Sequence, residues 1–112
     1  MELSTEVTGD IAVVELFLDE LDASNTVEFK QQMTPILAEH RKVVLDLAQL
    51  RFIDSSGLGA MLSCLRQLSQ RGGDLKLCGL SKSVRAAFEL VRLHRVLDIH
   101  ATREQAIGAF RS

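Results

Sequence analysis

Strand patterns and helix patterns take turns along most of this 112-residue chain, and that order limits the fold more than any other feature. Residues 3–8 and 11–17 alternate apolar and polar side chains around the turn pair Gly9-Asp10. This predicts an antiparallel hairpin whose second strand is the more buried. From residue 25 onward helices and strands alternate, as they do in parallel sheets with crossover helices. We therefore expect an α/β fold with a mixed sheet of four to five strands, an N-terminal hairpin, mostly parallel strands thereafter and about four helices.

The elements after the hairpin can be placed from apolar spacing and capping residues. Asn25 and Glu28 have the cap-then-acid spacing of a helix start, and Pro35 lies within the helix that follows to about His40. Residues 42–47 form an apolar run that predicts a strand covered on both faces. The remaining predicted elements are a helix from the serines at 55–56 to Gly72-Gly73, a strand at 75–78, a helix capped by Ser81 or Ser83 that carries Val84, Phe88 and Val91, a short strand around 96–99, and a final helix opened by Thr102 and Gln105.

One central stretch combines features that a structural role alone does not explain. Its sequence is Arg51-Phe52-Ile53-Asp54-Ser55-Ser56-Gly57-Leu58-Gly59-Ala60-Met61-Leu62. The aromatic and aliphatic residues anchor the segment, and the acid and hydroxyls can satisfy the free amides of a first helical turn. The same amides and the helix dipole favour an added negative charge, such as a phosphate on a hydroxyl. The two glycines weaken a helix but would let another protein's surface approach the backbone, so the stretch predicts a functional hydroxyl.

The residues around the two serines lack the partners that catalysis needs. A nucleophile elbow has glycine two positions before and after its serine, and neither Ser55 nor Ser56 has both. No glycine-rich phosphate loop occurs, although a weak nucleotide contact at the helix start stays open. A phospho-aspartate receiver could use Asp46 or Asp54, but no matching lysine follows the last strand. The pattern indicates a hydroxyl that accepts phosphate from another protein's kinase, without catalytic residues, cofactor or metal site of its own.

Charge is unevenly distributed along the chain, although the formal net charge is only −2. That balance argues against a nucleic-acid binder that works by bulk charge. Residues 1–39 hold nine acids and one base, and Asp19, Glu20 and Asp22 lie together in a polar turn. This acidic turn is either an ordinary solvated turn or a negative patch for a basic partner.

Cysteine content and hydropathy bear on where the protein works. Cys64 and Cys78 lie in apolar patterns, so we expect two buried thiols with no disulfide. No apolar run reaches membrane-spanning length, and the N-terminus lacks the features of a signal peptide. We expect a single domain over residues 1–112 that is cytoplasmic and monomeric.

Residues 46–59 resemble the STAS domain family, and within it the stand-alone anti-sigma factor antagonists. The Asp-Ser-Ser-Gly-Leu-Gly core at 54–59 carries most of this resemblance. Glu20-Leu21-Asp22 resembles the family's Glu-Leu-Asp before the first helix, and Gly72-Gly73-Asp74 resembles its turn before a later strand. The family usually has glycine where this chain has Asp19. The resemblance implies a small STAS-type domain.

The resemblance also implies a mechanism. In the family the serine directly after the aspartate is the phosphoacceptor, which is Ser55 in this sequence. The unphosphorylated protein binds a GHKL-type anti-sigma factor, which is also a serine kinase, and so releases the client. Phosphorylation ends binding, and a PP2C-type phosphatase resets the cycle. A phosphate adds about −1.5 to −2 charges, which beside Asp54 and the acidic turn would repel a partner that accepts a neutral hydroxyl.

Each residue of the predicted site has a plainer structural alternative. Ser55 could be a helix cap rather than a phosphoacceptor, and Ser56 is either the cap or a secondary acceptor. Leu58 would be an interface anchor if exposed and a core residue if buried. The full predicted partner-binding set is Asp22, Asn25, Asp54, Ser55, Ser56, Gly57 and Leu58.

We consider three possible functions for this chain. The first is a phosphorylation-switched protein-interaction module, and the second is a STAS subunit of a membrane transporter complex without a phosphorylation cycle. The third is a nucleotide-binding or nucleotide-hydrolysing protein, for which no catalytic base or metal-binding set is visible. The intact acceptor serine and the lack of a membrane segment favour the first.

Overall fold

A computed structural model of the protein describes residues 1–111 and shows a mixed α/β fold. The strands are β1 (Glu2–Thr8), β2 (Ile11–Phe17), β3 (Glu20–Leu21), β4 (Lys42–Asp46), β5 (Phe52–Ile53), β6 (Asp74–Cys78) and β7 (Asp98–His100). The helices are α1 (Thr26–Glu39), α2 (Ser55–Gln70), α3 (Lys82–Leu90) and α4 (Arg103–Arg111), with a 3-10 helix at Leu93–Arg95.

Five of the strands form the main sheet, in the order β1-β2-β4-β6-β7. β1 and β2 make an antiparallel hairpin in which Thr8 faces Ile11 across the turn, and Gly9 supplies the positive φ of +65° that this turn requires. The other neighbouring pairs in this sheet are parallel. β2 is almost wholly buried, whereas β1 lies at the edge and is mostly exposed. The predicted hairpin, parallel order and helix number are therefore confirmed.

Both faces of the sheet are covered, but unequally. Val43 and Leu45 of β4 point into a large apolar core formed with α1 and α2, whereas Val44 between them points to the other face. On that second face α4 contributes Ala106 to a much smaller apolar cluster. The prediction that residues 42–47 form a strand covered on both faces is confirmed.

Charged groups hold α4 against this second face. Arg103 in the first turn of α4 donates to the buried Asp46 at 2.8 Å and to Glu15 at 2.9 Å. These hydrogen bonds, first of all the one that Arg103 donates to Asp46, raise the pKa of Arg103. Near the other end of the helix, the Lys76 ammonium lies 4.7 Å from the centre of the Phe110 ring. Asp46 is therefore engaged as an anchor and does not present an open carboxylate of the kind that a phospho-aspartate receiver uses.

β3 and β5 form a separate, two-stranded parallel pair that the sequence analysis missed. Glu20 pairs with Phe52 and Leu21 pairs with Ile53. The sequence indicates a polar turn around Asp19–Asp22 and no strand at 52–53, because strands of two residues are too short to show an alternation pattern. The pair fixes the acidic turn against the segment that leads into α2.

Two element boundaries differ from the predicted ones. α3 ends at Leu90, and Arg92 beyond it has a left-handed backbone with a φ of 62°, so the helix cannot continue and Val91 is exposed rather than core. The last strand begins at Asp98, which leaves Val96 exposed outside it. Ser81 rather than Ser83 caps α3, since its hydroxyl accepts from the Val84 amide at 3.2 Å.

Candidate functional site

The junction between β5 and α2 leaves Ser55 exposed at the start of a long helix. Asp54 is the N-cap, and its Oδ1 accepts a hydrogen bond from the Gly57 amide at 3.0 Å. Ser55 follows as the first helical residue with an exposed side chain. Within residues 1–111, no group hydrogen-bonds the Ser55 hydroxyl. Because the carboxylate already caps the helix, the hydroxyl is free of a structural role.

Ser56 does not cap α2, so the structural role that the sequence suggested for it is wrong. The cap position belongs to Asp54, and Ser56 lies inside the first turn and is half-buried. Carboxylate and hydroxyl groups both suit an N-cap, and the sequence alone did not settle which of the three adjacent polar residues would occupy it.

Gly57 lets the helix approach the protein's own backbone rather than a partner's surface. The residue is buried, and a Cβ built on it would lie only 2.5 Å from the Leu21 carbonyl oxygen of β3. Gly59 differs, because it is exposed and a Cβ there would meet nothing within 4 Å. The expectation that both glycines open the backbone to a partner is therefore corrected for Gly57, and Gly59 is the glycine that leaves an open surface.

Leu58 is a core residue in this structure. Its side chain is only 7% exposed and packs in the large apolar cluster. The condition under which it would serve as an interface anchor, exposure next to the serines, is not met. Phe52 differs from its prediction in the opposite sense: the sequence predicts an anchor of the segment, yet its side chain is 52% exposed, whereas its neighbour Ile53 is buried.

The acidic turn lies directly beside the start of α2. Asp54 joins the two, since its Oδ2 accepts from the Ala23 amide at 3.3 Å while its Oδ1 caps the helix. Asp22 accepts from the Ser24 amide at 2.9 Å and from the Ser24 hydroxyl, and these bonds lower the pKa of the Asp22 carboxyl. Asp19 and Glu20 of the same turn are exposed, so the segment that contacts the N-cap residue of α2 presents anionic side chains.

Asn25 shapes this turn and does not cap α1. It stands at the N-cap position of the helix, but its side chain makes no capping hydrogen bond. Its Oδ1 accepts from the Asp22 amide at 3.0 Å, and its Nδ2 donates to the Glu20 carbonyl at 2.8 Å. Glu28 contacts the N-terminal amine at 2.7 Å instead of completing a capping box. The predicted helix start at Asn25 is thus confirmed, but neither Asn25 nor Glu28 caps the helix with its side chain, and the Asn25 amide group is used inside the turn.

Asp19 fits its position without backbone strain. Among residues 1–111, Arg92 is the only residue other than glycine with a positive φ, so the turn does not require glycine at position 19. The Asp19 carbonyl accepts from the Arg51 amide at 2.7 Å and the Phe52 amide at 3.1 Å, which extends the pairing of β3 with β5. Asp19, which stands where the family usually has glycine, is therefore accommodated in the turn without backbone strain.

An apolar groove lies on the other side of β5, between that strand and α3. It has a volume of about 430 Å³ and is lined by Arg51, Phe52, Ile53, Ser83, Ala86, Ala87 and Leu90. Leu90 is 84% exposed, more than any other large apolar side chain in the described part of the chain. None of these residues belongs to the predicted partner-binding set, and the only sequence signal for the groove is Phe52, an aromatic residue two positions before the Asp-Ser-Ser motif.

The STAS domain family model matches residues 2–106 of the chain. A Bordetella bronchiseptica protein, BtrV, provisionally assigned as an anti-sigma factor antagonist, is 40% identical over 72 residues, which cover 64% of this chain and 62% of that protein. The anti-sigma F factor antagonist of Paenibacillus polymyxa is 28% identical over 90 residues, or 79% of this chain and 77% of the relative.

Solved structures agree with the fold. The anti-sigma factor antagonist SpoIIAA in its unphosphorylated form is 26% identical with a TM-score of 0.73, and the match covers 99% of each chain. The Bacillus cell fate determinant SpoIIAA in its phosphorylated form is 27% identical with a TM-score of 0.71, over 97% of this chain and 99% of that one. In residues 1–111, no helix is both long enough and apolar enough to span a bilayer.

Proposed function

Because the chain belongs to the STAS domain family, we propose that it is an anti-sigma factor antagonist that works as a phosphorylation-switched protein-interaction module. The names of its relatives support the antagonist role. That SpoIIAA exists in unphosphorylated and phosphorylated forms supports a phosphate switch in a relative of the same fold.

The observation that carries this proposal is the free hydroxyl of Ser55. It is exposed, it directly follows the capping Asp54, and no group in residues 1–111 holds it. A kinase can therefore approach this oxygen without breaking an internal hydrogen bond. Ser55 is accordingly the phosphoacceptor, and the half-buried Ser56 is at most a secondary one.

A phosphate on Ser55 would change the surface without unfolding the domain. It adds about −1.5 to −2 charges beside Asp54 and the acidic turn, and it turns a neutral site into a strongly negative one. The amides and dipole at the start of α2 make this charge tolerable to the protein itself. A partner that docks on the hydroxyl loses its contact and meets repulsion, so the switch acts at the interface.

The partner in this proposal is a GHKL-type anti-sigma factor that is also a serine kinase. The unphosphorylated protein binds it and releases the client, a sigma factor or another regulated protein. Phosphorylation of Ser55 ends binding, and a PP2C-type phosphatase restores it. The exposed parts of Asp22, Asp54 and Ser55 supply the contact, with Asn25 and Gly57 shaping it from within. The protein acts in the cytoplasm as a monomer, and it is a substrate rather than an enzyme.

Direct binding tests this proposal. Unphosphorylated protein should bind a GHKL kinase of its host with a Kd at least tenfold lower than protein with phosphoserine incorporated at position 55. Ser69→Ala, an exposed serine near the end of the same helix, should bind like the unchanged protein. Equal affinity of both phosphorylation states, or co-purification with a membrane transporter in place of a kinase, would contradict the proposal.

A further inference from the structure

The groove between β5 and α3 lies next to the segment that carries the acceptor serine. The Ser83 hydroxyl donates to the Arg51 carbonyl at 3.2 Å, and this bond holds the first turn of α3 against the start of β5. Its lining includes Ala86 and Ala87, whose short side chains leave space open, and the exposed Phe52 and Leu90. A preformed apolar groove of this size suits one or two apolar side chains of a partner.

The two flanks of β5 carry opposite charge. On one side β3 pairs with β5 and presents the acidic turn. On the other side, the exposed α3 carries Lys82 and Arg85 and ends near Arg92, and Arg51 itself lines the groove. Arg85 contacts Glu89 at 3.3 Å, but in the described part of the chain neither Arg51 nor Lys82 makes an ion pair. Arg51 in the groove lining, and Lys82 next to the lining residue Ser83, are therefore cations that no carboxylate of residues 1–111 neutralises.

From this geometry we propose that the groove is a second docking surface for the kinase partner, which fills it with an apolar side chain carried on an acidic segment. The inference rests on the proposed function. β5 runs directly from the groove into Asp54 and Ser55, so a kinase that reaches the hydroxyl is close enough to contact the groove as well. Charge complementarity with Arg51 and Lys82 selects an acidic segment, and the exposed Leu90 selects an apolar anchor.

The groove contact is separate from the phosphate. Asp54, the neighbour of Ser55, contacts the acidic turn, whereas the groove is lined by neutral and basic side chains. A phosphate on Ser55 therefore repels the partner on one flank and leaves the groove available on the other. The groove therefore determines which kinase binds, and the phosphorylation state of Ser55 determines whether that kinase stays bound.

Leu90→Asn tests the inference with Val7→Asn as its matched control. Both positions carry exposed aliphatic side chains, at 84% and 55%, and Val7 lies near the hairpin turn at the opposite end of the sheet. The Kd of each variant for the purified GHKL kinase of the host is measured, together with KM and kcat for phosphorylation of Ser55. Leu90→Asn should raise Kd and KM about tenfold with kcat unchanged, and Val7→Asn should leave all three within twofold.

A charge reversal sharpens the test. Lys82→Glu should raise Kd about fivefold at low salt and by less at high salt, because an exposed charge contact is screened.

If the unchanged protein is bound and phosphorylated but Leu90→Asn behaves like Val7→Asn, the groove inference fails and the proposed function stands. If no host kinase binds or phosphorylates the unchanged protein, both fail. A concentration-dependent dimer that Leu90→Asn abolishes would assign the groove to a second copy of this chain and overturn the inference.

Discussion

The starts of α2 and α3 carry similar residues but use their serines differently. Each helix begins after a strand or loop and has a serine in its first turn, Ser55 in α2 and Ser83 in α3. In α3 a hydroxyl makes the cap, that of Ser81, and the Ser83 hydroxyl donates to the Arg51 carbonyl. In α2 a carboxylate makes the cap, and the Ser55 hydroxyl is left without a hydrogen-bond partner in residues 1–111.

This difference shows how a hydroxyl becomes available for modification. A carboxylate that takes over the capping bond leaves the next serine free, whereas a capping serine is bound to the backbone. The charge around the two starts differs as well, because the acidic turn adjoins α2 and basic side chains surround α3. A phosphate would thus oppose its neighbours at Ser55 and be neutralised near Ser83, and only the first arrangement makes a repulsive switch.

The largest effect is expected where α2 contacts β3. Gly57→Ala places a Cβ 2.5 Å from the Leu21 carbonyl oxygen, so the helix start must shift. We expect a loss of about 2–3 kcal/mol in the free energy of unfolding, measured by urea denaturation.

Gly59→Ala is the matched control for that substitution. A Cβ at this position meets nothing within 4 Å, and alanine is the better helix former, so a gain of about 0.5–1 kcal/mol is expected. Equal effects at both glycines would contradict the close approach of α2 to β3.

A smaller effect separates the two helix caps. Asp54→Ala removes the acceptor of both the Gly57 and the Ala23 amides, whereas Ser81→Ala removes the acceptor of one amide. In urea denaturation we expect losses of about 2 kcal/mol for Asp54→Ala and about 1 kcal/mol for Ser81→Ala. Asp54→Asn, which keeps one acceptor oxygen, should fall between Asp54→Ala and the unchanged protein. Equal losses of unfolding free energy for Asp54→Ala and Ser81→Ala would contradict the double capping role of Asp54, which is the reason that the Ser55 hydroxyl is left free.

The general architecture could be predicted because it follows from periodicity that extends over several residues. The alternating hairpin strands, the apolar run at 42–47 and the long amphipathic stretch after residue 55 each exceed the length at which a pattern becomes distinct. The position of Ser55 could be predicted because acid and hydroxyl residues before an apolar helix mark its start.

The details of the site could not be predicted, because they depend on contacts between segments distant in sequence. The pairing of β3 with β5 joins residues about thirty positions apart and gives Gly57 its neighbour, the Leu21 carbonyl. Asn25 is a residue type that commonly caps helices, but its side chain hydrogen-bonds to the backbone of the acidic turn instead of to the first amides of α1. Phe52 is an apolar residue type that is usually buried. It is exposed at the groove because β5 is too short and too peripheral to bury it.

Intact-mass analysis after incubation with each GHKL kinase of the host and ATP tests the central claim most directly. The expected result is the addition of one phosphate, mapped by fragmentation to Ser55, its loss in Ser55→Ala and its retention in Ser83→Ala. A phosphate mapped to Ser83, or a Ser55→Ala variant phosphorylated as fully as the unchanged protein, would contradict it. So would a protein that no host kinase modifies.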